Sequence, residues 1–457
     1  MNRALLLLAA APALLAHIGS PDVFLEGPAG PYPLFVTVRP PVVIPGVAQI
    51  EVRSAVAGLD ALYVTPMPLT GPGARLAPTA DRLASSSADP QFFTGSLWIM
   101  TSGSWQVRIQ AHGPRGRGAL AVPIPALAVR LGRMQAGVGL LLALLGLVLS
   151  AGIVSIIGAG VRESPLEPGD APSPERRRLA RRAMTSAAVI VFFLLYLGNR
   201  WWNAEAGFIE RFLYQPVALE PSLDPPALNP PGRLLLRLRE TARQRFPRPL
   251  DQLLPDHGHL MHLFVARLPA LDRVWHLHPD QLEAGLFVHH LPAMPAGRYA
   301  LFADIVWPNG LPETATAEID LPAIPGRPLT GDDASGDFPA PLTWERDSTP
   351  LRARRPASFR FRLNPPDGLE LYMGMPGHAF FLKTDRSVFA HVHPTGSVPM
   401  ASLQLAGADP HAAHTTAPPP VISFPYGFPQ PGDYRIFVQI KRRGRIETAV
   451  FDARVEP

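Results

Sequence analysis

The chain has 457 residues, 47% hydrophobic and 17% charged, a balance that excludes a disordered polymer and suits about three folded domains with membrane segments. It contains no cysteine, which excludes disulfides, thiolate metal sites and cysteine nucleophiles. The net charge of +5 comes from scattered arginines, with Lys383 and Lys441 the only lysines, which is not the footprint of a nucleic-acid binder.

Residues 1–16, MNRALLLLAAAPALLA, place one arginine before a short apolar run that ends in small residues. This is the pattern of a secretory signal peptide, with cleavage expected after Ala13 or Ala16; an uncleaved N-terminal anchor is the alternative. Residues 17–128 alternate short apolar runs with turn residues, as in Leu34–Val38, Ala48–Arg53 and Trp105–Gln110. Period-two alternation between Pro and Gly clusters predicts an exported β-sandwich domain. Its candidate soft-metal ligands are His17, His112, Met67 and Met100. Cleavage after Ala16 would make the His17 amine and imidazole a chelate for copper(II), with His112 as a third nitrogen; the plain alternative is an ordinary residue near a processing site.

Residues 134–160 are almost wholly apolar and long enough to cross a bilayer, and 183–200 form a shorter second span that ends at Trp201-Trp202. The loop between them, 161–182, carries Arg176, Arg177, Arg178, Arg181 and Arg182, which the positive-inside rule assigns to the cytoplasm. With the signal peptide, this predicts an inner-membrane protein whose N- and C-terminal domains lie on the periplasmic side. Neither span has an ionisable residue at its centre, so both are expected to be anchors. Residues 203–250 read as a linker, with a short helix expected over Leu234 to Phe246.

The remainder is an internal duplication. Asp256-His-Gly-His-Leu-Met-His262 and Trp275-His-Leu-His-Pro279 align with Tyr372-Met-Gly-Met-Pro-Gly-His378 and Ala390-His-Val-His-Pro394. Pro295–Phe302 then aligns with Gln430–Phe437, and Glu313-Thr-Ala315 with Glu447-Thr-Ala449. The order holds throughout, apart from an insertion near 399–420. The two copies, 251–325 and 340–457, are each expected to be an immunoglobulin-like sandwich, with Tyr299 and Tyr434 as packing residues. The fold class is therefore mainly β, with one sandwich before a two-helix transmembrane anchor and two after it.

On a strand, residues i and i+2 share a face, so His276 projects with His278, and His391 with His393. A short connection to an antiparallel neighbour brings His262 or His378 alongside, and converging imidazoles point to a metal site. His257-Gly-His259 of the first copy becomes Met373-Gly-Met375 in the second, an exchange of imidazole for thioether at constant spacing. Copper uses both donors and is the expected cofactor, as Cu(I) or Cu(II), with zinc second. The metal set is thus His257, His259, His262, His276, His278, Met373, Met375, His378, His391 and His393, with His17, His112, Met294 and Met400 as further candidates. Met261 could also contribute, and His411 and His414 lie in the inserted loop. The bland alternative is that each His-x-His-Pro is a strand end tied to main-chain groups.

A histidine opening an apolar strand, then His-x-His-Pro, then the Gly-x-Tyr strand, resembles the YtkA-like domains over 251–325 and 372–457. That resemblance implies small immunoglobulin-like modules of exported bacterial proteins associated with copper homeostasis. The expected function is copper sequestration or delivery by a membrane-anchored protein, with a copper-donating or copper-accepting protein as partner besides the bilayer. The alternatives are a copper-dependent oxidoreductase and a metal-free interaction module in a membrane complex. No catalytic residue stands out, since the P-loop, Gly-x-Ser-x-Gly and His-Glu-x-x-His patterns are all missing.

Overall fold

The computed structural model describes residues 22–167, 169–224, 232–241, 248–407 and 418–457. The expected signal peptide, His17, His411 and His414 lie outside the described residues. The chain is mainly β, with several sandwich-like sheets and two apolar helices that could span a membrane. It divides into two units, residues 129–213 and the remainder.

The first unit is a helix pair, α1 (Ala136–Glu163) and α2 (Pro174–Glu210). Both are long and apolar enough to cross a membrane, and their apolar side chains are almost entirely uncovered by protein. They meet through small residues: Gly158 lies opposite Met184, and Ala180 and Ala187 are buried. One expectation is corrected. The arginines assigned to a loop over 161–182 lie mostly inside α2, because the Ser173 hydroxyl caps the Arg176 amide and Pro174 follows it at the first helical position.

The second unit contains three sandwiches. In the first, the sheet Val23–Ala29, Tyr32–Arg39, Gly46–Ser54, Phe92–Ile99 and Ala84–Ser85 faces the sheet Asp81–Arg82, Ala61–Pro68, Gly103–Gly113 and Gly116–Ala126. Alternate residues, among them Leu34, Val36, Val38, Ile50, Val52, Val107 and Ile109, fill the space between.

The first copy of the repeat has one sheet of Ala218–Leu223, Arg233–Arg239, Leu286–His290 and Asp280–Glu283. Its other sheet is Pro312–Leu321, Gly297–Val306, His262–Arg267, Val274–Leu277 and Ala334–Ser335. The linker expectation for 203–250 is therefore wrong in part: Arg233–Arg239 is a strand, where a helix was expected from Leu234, and it completes this sandwich. Leu234, Leu236 and Leu238 are buried while Arg237 and Arg239 face out, the period of a strand. Leu236→Ala should cost about 2–4 kcal/mol, read as a lowered urea midpoint of the detergent-solubilised protein.

The second copy repeats the plan. Arg445–Glu456, Gly432–Arg442, His378–Lys383 and Phe389–Val392 follow the same order as their counterparts in the first copy, opposite a sheet of Leu342–Trp344, Ala357–Leu363 and Val421–Tyr426. The Tyr299 and Tyr434 hydroxyls donate to the carbonyls of Pro295 and Gln430, four residues upstream in each case. Even backbone strain is shared: His257 and Met373 both have φ of 50°, each followed by a glycine with positive φ, as a type I′ turn requires.

The decisive packing is between the copies. Strand alternation sends Leu263, Val265, Trp275 and Leu277 into the first sandwich, and Ala379, Phe381 and Val392 into the second. The opposite faces carry His262, Phe264, His276, His378, Phe380 and His391, and these faces press together. Phe264 meets Phe380 at 4.9 Å between centroids, and Phe302 stacks on Phe389 at 4.5 Å. An aromatic and aliphatic cluster that includes Ala266, Leu271, Leu382 and Phe437 seals one end of this interface. The histidines occupy the other end.

Candidate metal centre

His262, His276 and His278 form one triad whose candidate donor atoms all lie within 4.8 Å of one another, and His257, His378 and His393 form another. All are buried except His257, which is partly so, although its side chain has no exposed surface. The second triad crosses the copies: His257 belongs to the first, and His378 and His393 to the second. His391 lies between the triads, its centroid 5.4 Å from that of His262 and 4.5 Å from that of His393.

Proton positions follow from the partners. A carbonyl oxygen only accepts, so a ring nitrogen facing one carries the proton. His262 Nε2 faces the Asp256 carbonyl at 3.0 Å, so Nδ1 holds the lone pair. The Gln439 amide donates to the Thr448 hydroxyl, which donates to the Ser335 carbonyl; Gln439 Oε1 therefore accepts from His276 Nδ1 at 2.9 Å. His276 Nε2 then also holds a lone pair, and it lies 3.0 Å from His262 Nδ1. His278 Nδ1 donates to Asp333 Oδ1 at 3.1 Å, and its Nε2 has no partner. His257 Nδ1 donates to the Met373 carbonyl at 2.8 Å, which turns its Nε2 toward His393 Nε2 at 3.1 Å and His378 Nε2 at 3.5 Å. At the first triad the lone pairs of His262 Nδ1 and His276 Nε2 face each other across 3.0 Å without a proton; they repel, and a cation relieves that repulsion.

Electrostatics agree. Burial pushes His262, His276, His278, His378, His391 and His393 well below the ordinary histidine range, and neighbouring imidazoles add to the effect. The rings are therefore neutral near pH 7, the state a metal ion needs. Burial raises the Asp304 and Asp333 carboxyls to about 7. Asp304 Oδ2 lies 3.4 Å from His391 Nδ1, and Asp333 Oδ2 lies 3.4 Å from His289 Nε2. Such outer carboxylates fix ring orientation around metal ligands. The donor set fits imidazole-preferring ions such as copper and zinc.

The other expected ligands are placed as follows. His259 stacks on His278 at 4.0 Å and reaches Asp332 Oδ2 at 3.3 Å. Met373 gives its carbonyl to His257 while its side chain packs with Tyr372, Ala334 and Ile446. Met375 is fully buried in the turn bridged to Tyr372. Met294 is a core residue of the first copy, Met261 packs in the same core, and Met400 is buried in the helix Met400–Leu405. His112 lies in the first sandwich against Tyr63, and belongs to neither triad. The sequence reading missed Asp304, Asp333 and Gln439. Asp304 and Gln439 hold matching positions, facing His262 and His378 across the sheet, and two polar residues at one place in a buried strand were the available signal.

Residues 340–457 match a family described as a domain of unknown function, DUF8832. No curated protein matches the chain. Among solved structures, dimeric latent PorU from Porphyromonas gingivalis is 10% identical, with a TM-score of 0.16, over 95% of this chain and 34% of that one. Salmonella alpha-2-macroglobulin reacted with methylamine is 8% identical, with a TM-score of 0.22, over 94% of this chain and 24% of that one. The chain thus spans about a third and a quarter of those two proteins, and likeness at these TM-scores carries no argument.

Proposed function

We propose that this is a membrane-anchored copper-binding protein that sequesters or passes on copper at the outer face of the membrane. The carrying observation is the pair of buried imidazole triads, in the first of which His262 Nδ1 and His276 Nε2 face each other without a proton. Copper rather than zinc rests on the resemblance to YtkA-like domains, since imidazole serves both ions and the Met373 side chain packs with Tyr372, Ala334 and Ile446. The apolar helices supply the anchor, and the Arg176–Arg182 cluster supports an outward orientation of the sandwiches.

The test uses the full chain in detergent, stripped with a chelator and equilibrated with Cu(I), Cu(II) or Zn(II) before elemental analysis. Copper should be retained against a competing chelator, and His262→Ala with His378→Ala should abolish retention. A stripped protein that takes up no ion, with its circular dichroism intact, would overturn the reading. Preferential zinc retention would overturn the choice of metal.

A further inference from the structure

The duplication predicts equal sites, yet the two triads are not equivalent. His262, His276 and His278 of the first copy correspond to His378, His391 and His393 of the second. The first trio gains no ring from the second copy, because Met373 offers only its backbone carbonyl. The second trio gains His257, held in place by that carbonyl. With His391 set aside between the sites, the second triad is His257, His378 and His393, completed across the copies, whereas the first comes from one copy alone.

His391 stands between the two triads and belongs to neither. Its Nδ1 faces Asp304 Oδ2, and Asp304 Oδ1 accepts from the Thr314 hydroxyl at 2.5 Å. Its Nε2 has no hydrogen-bond partner although the side chain is 7% exposed. The ring lies 5.6 Å from His378 and 4.5 Å from His393 between centroids. The His257, His378 and His393 side chains are sealed from solvent. The first site is different. Beside His278 stands His259, whose side chain is 29% exposed, paired with Asp332 at 34%. These two groups form a polar mouth next to an otherwise buried triad.

Resting on the metal-binding reading above, the geometry points to two ions with unequal exchange. A closed site of His257, His378 and His393 retains its ion, and an open site of His262, His276 and His278 trades its ion with solvent through His259 and Asp332. Three protein ligands leave a position through which an incoming donor can attack, and the first triad has exposed polar groups beside it while the second is enclosed. The closed ion would hold the two copies in register while the open one is exchanged.

The experiment measures stoichiometry and release from the full chain in detergent, loaded with copper and mixed with an excess of a chromophoric chelator. Two ions per chain should leave in two phases of equal amplitude, with rates at least ten-fold apart. His257→Asn should lose the slow phase together with its ion. His259→Ala should change the fast phase alone. Circular dichroism checks that both variants are folded, and His290→Ala, on an exposed residue outside the cluster, is the control. Two ions leaving at one rate, a single bound ion, or a slow phase indifferent to His257→Asn would overturn the inference while leaving metal binding intact. No bound ion at all would overturn the metal-binding reading itself.

Discussion

His257→Asn should remove one of the two bound ions from the chain and leave the other in place. Asparagine tolerates the positive φ of 50° at this turn position, so the change deletes an imidazole with little backbone strain. His257 is a first-copy residue, but its Nε2 faces His378 and His393 of the second copy. Affinity at the second site should fall by more than about 100-fold, the upper end of what loss of an outer-shell partner costs, because a direct donor is removed. The first triad keeps its three rings and should bind as before. Met373→Ala gives the contrasting result: the carbonyl that orients His257 is main chain and survives, so both ions should stay. Elemental analysis of the two variants after dialysis reads both outcomes. If Met373→Ala lost an ion and His257→Asn did not, the thioether would be the ligand and the cross-copy arrangement would be wrong.

That contrast marks what the sequence could disclose. The period-two pattern of Val274-Trp-His-Leu-His278 was enough to place His276 and His278 on one face, and the repeat to expect the same of His391 and His393. Those inferences need only strand geometry. Nothing local says that the outer faces of the two copies bury each other, because that contact pairs residues more than a hundred positions apart, such as Phe264 with Phe380. Without it, His257 and Met373 looked like ligands of separate sites, when one turn in fact hands its ring to the other copy. The run Arg233-Leu-Leu-Leu-Arg-Leu-Arg239 failed for a different reason. Leucines at 234, 235 and 238 fit a helix, those at 234, 236 and 238 fit a strand, and only the neighbouring Leu286–His290 strand decides. The supporting carboxylates Asp332 and Asp333 sit in a connector whose sequence pattern gives no sign of the histidines they reach.

The metal-free protein should lose stability steeply as pH falls below about 6.5. Six histidines, His262, His276, His278, His378, His391 and His393, have folded pKa values well below the unfolded one. Above pH 6.5 they are neutral in both states and contribute nothing to the slope. Below it the unfolded chain takes up protons that the folded chain refuses, so stability falls with pH. Three buried carboxyls act in the opposite sense. Asp304 and Asp333 titrate near 7 in the fold and Asp256 is also raised, so the folded state binds more protons there between their unfolded values and the folded ones. Six histidines outnumber three carboxyls, so unfolding takes up protons on balance and stability falls as pH drops below about 6.5. Against a total stability of about 5–15 kcal/mol, this uptake should open the repeat pair in acid. Bound metal should move that transition to lower pH, because the ion occupies the nitrogens that would otherwise be protonated only after unfolding. Intrinsic tryptophan fluorescence against pH, with and without copper, measures both: Trp275 and Trp307 are buried in the first copy and report its opening. A metal-free transition no steeper than one proton would mean that the histidine cluster is hydrated and ionised in solution, and the neutral, lone-pair-lined centre would then be wrong.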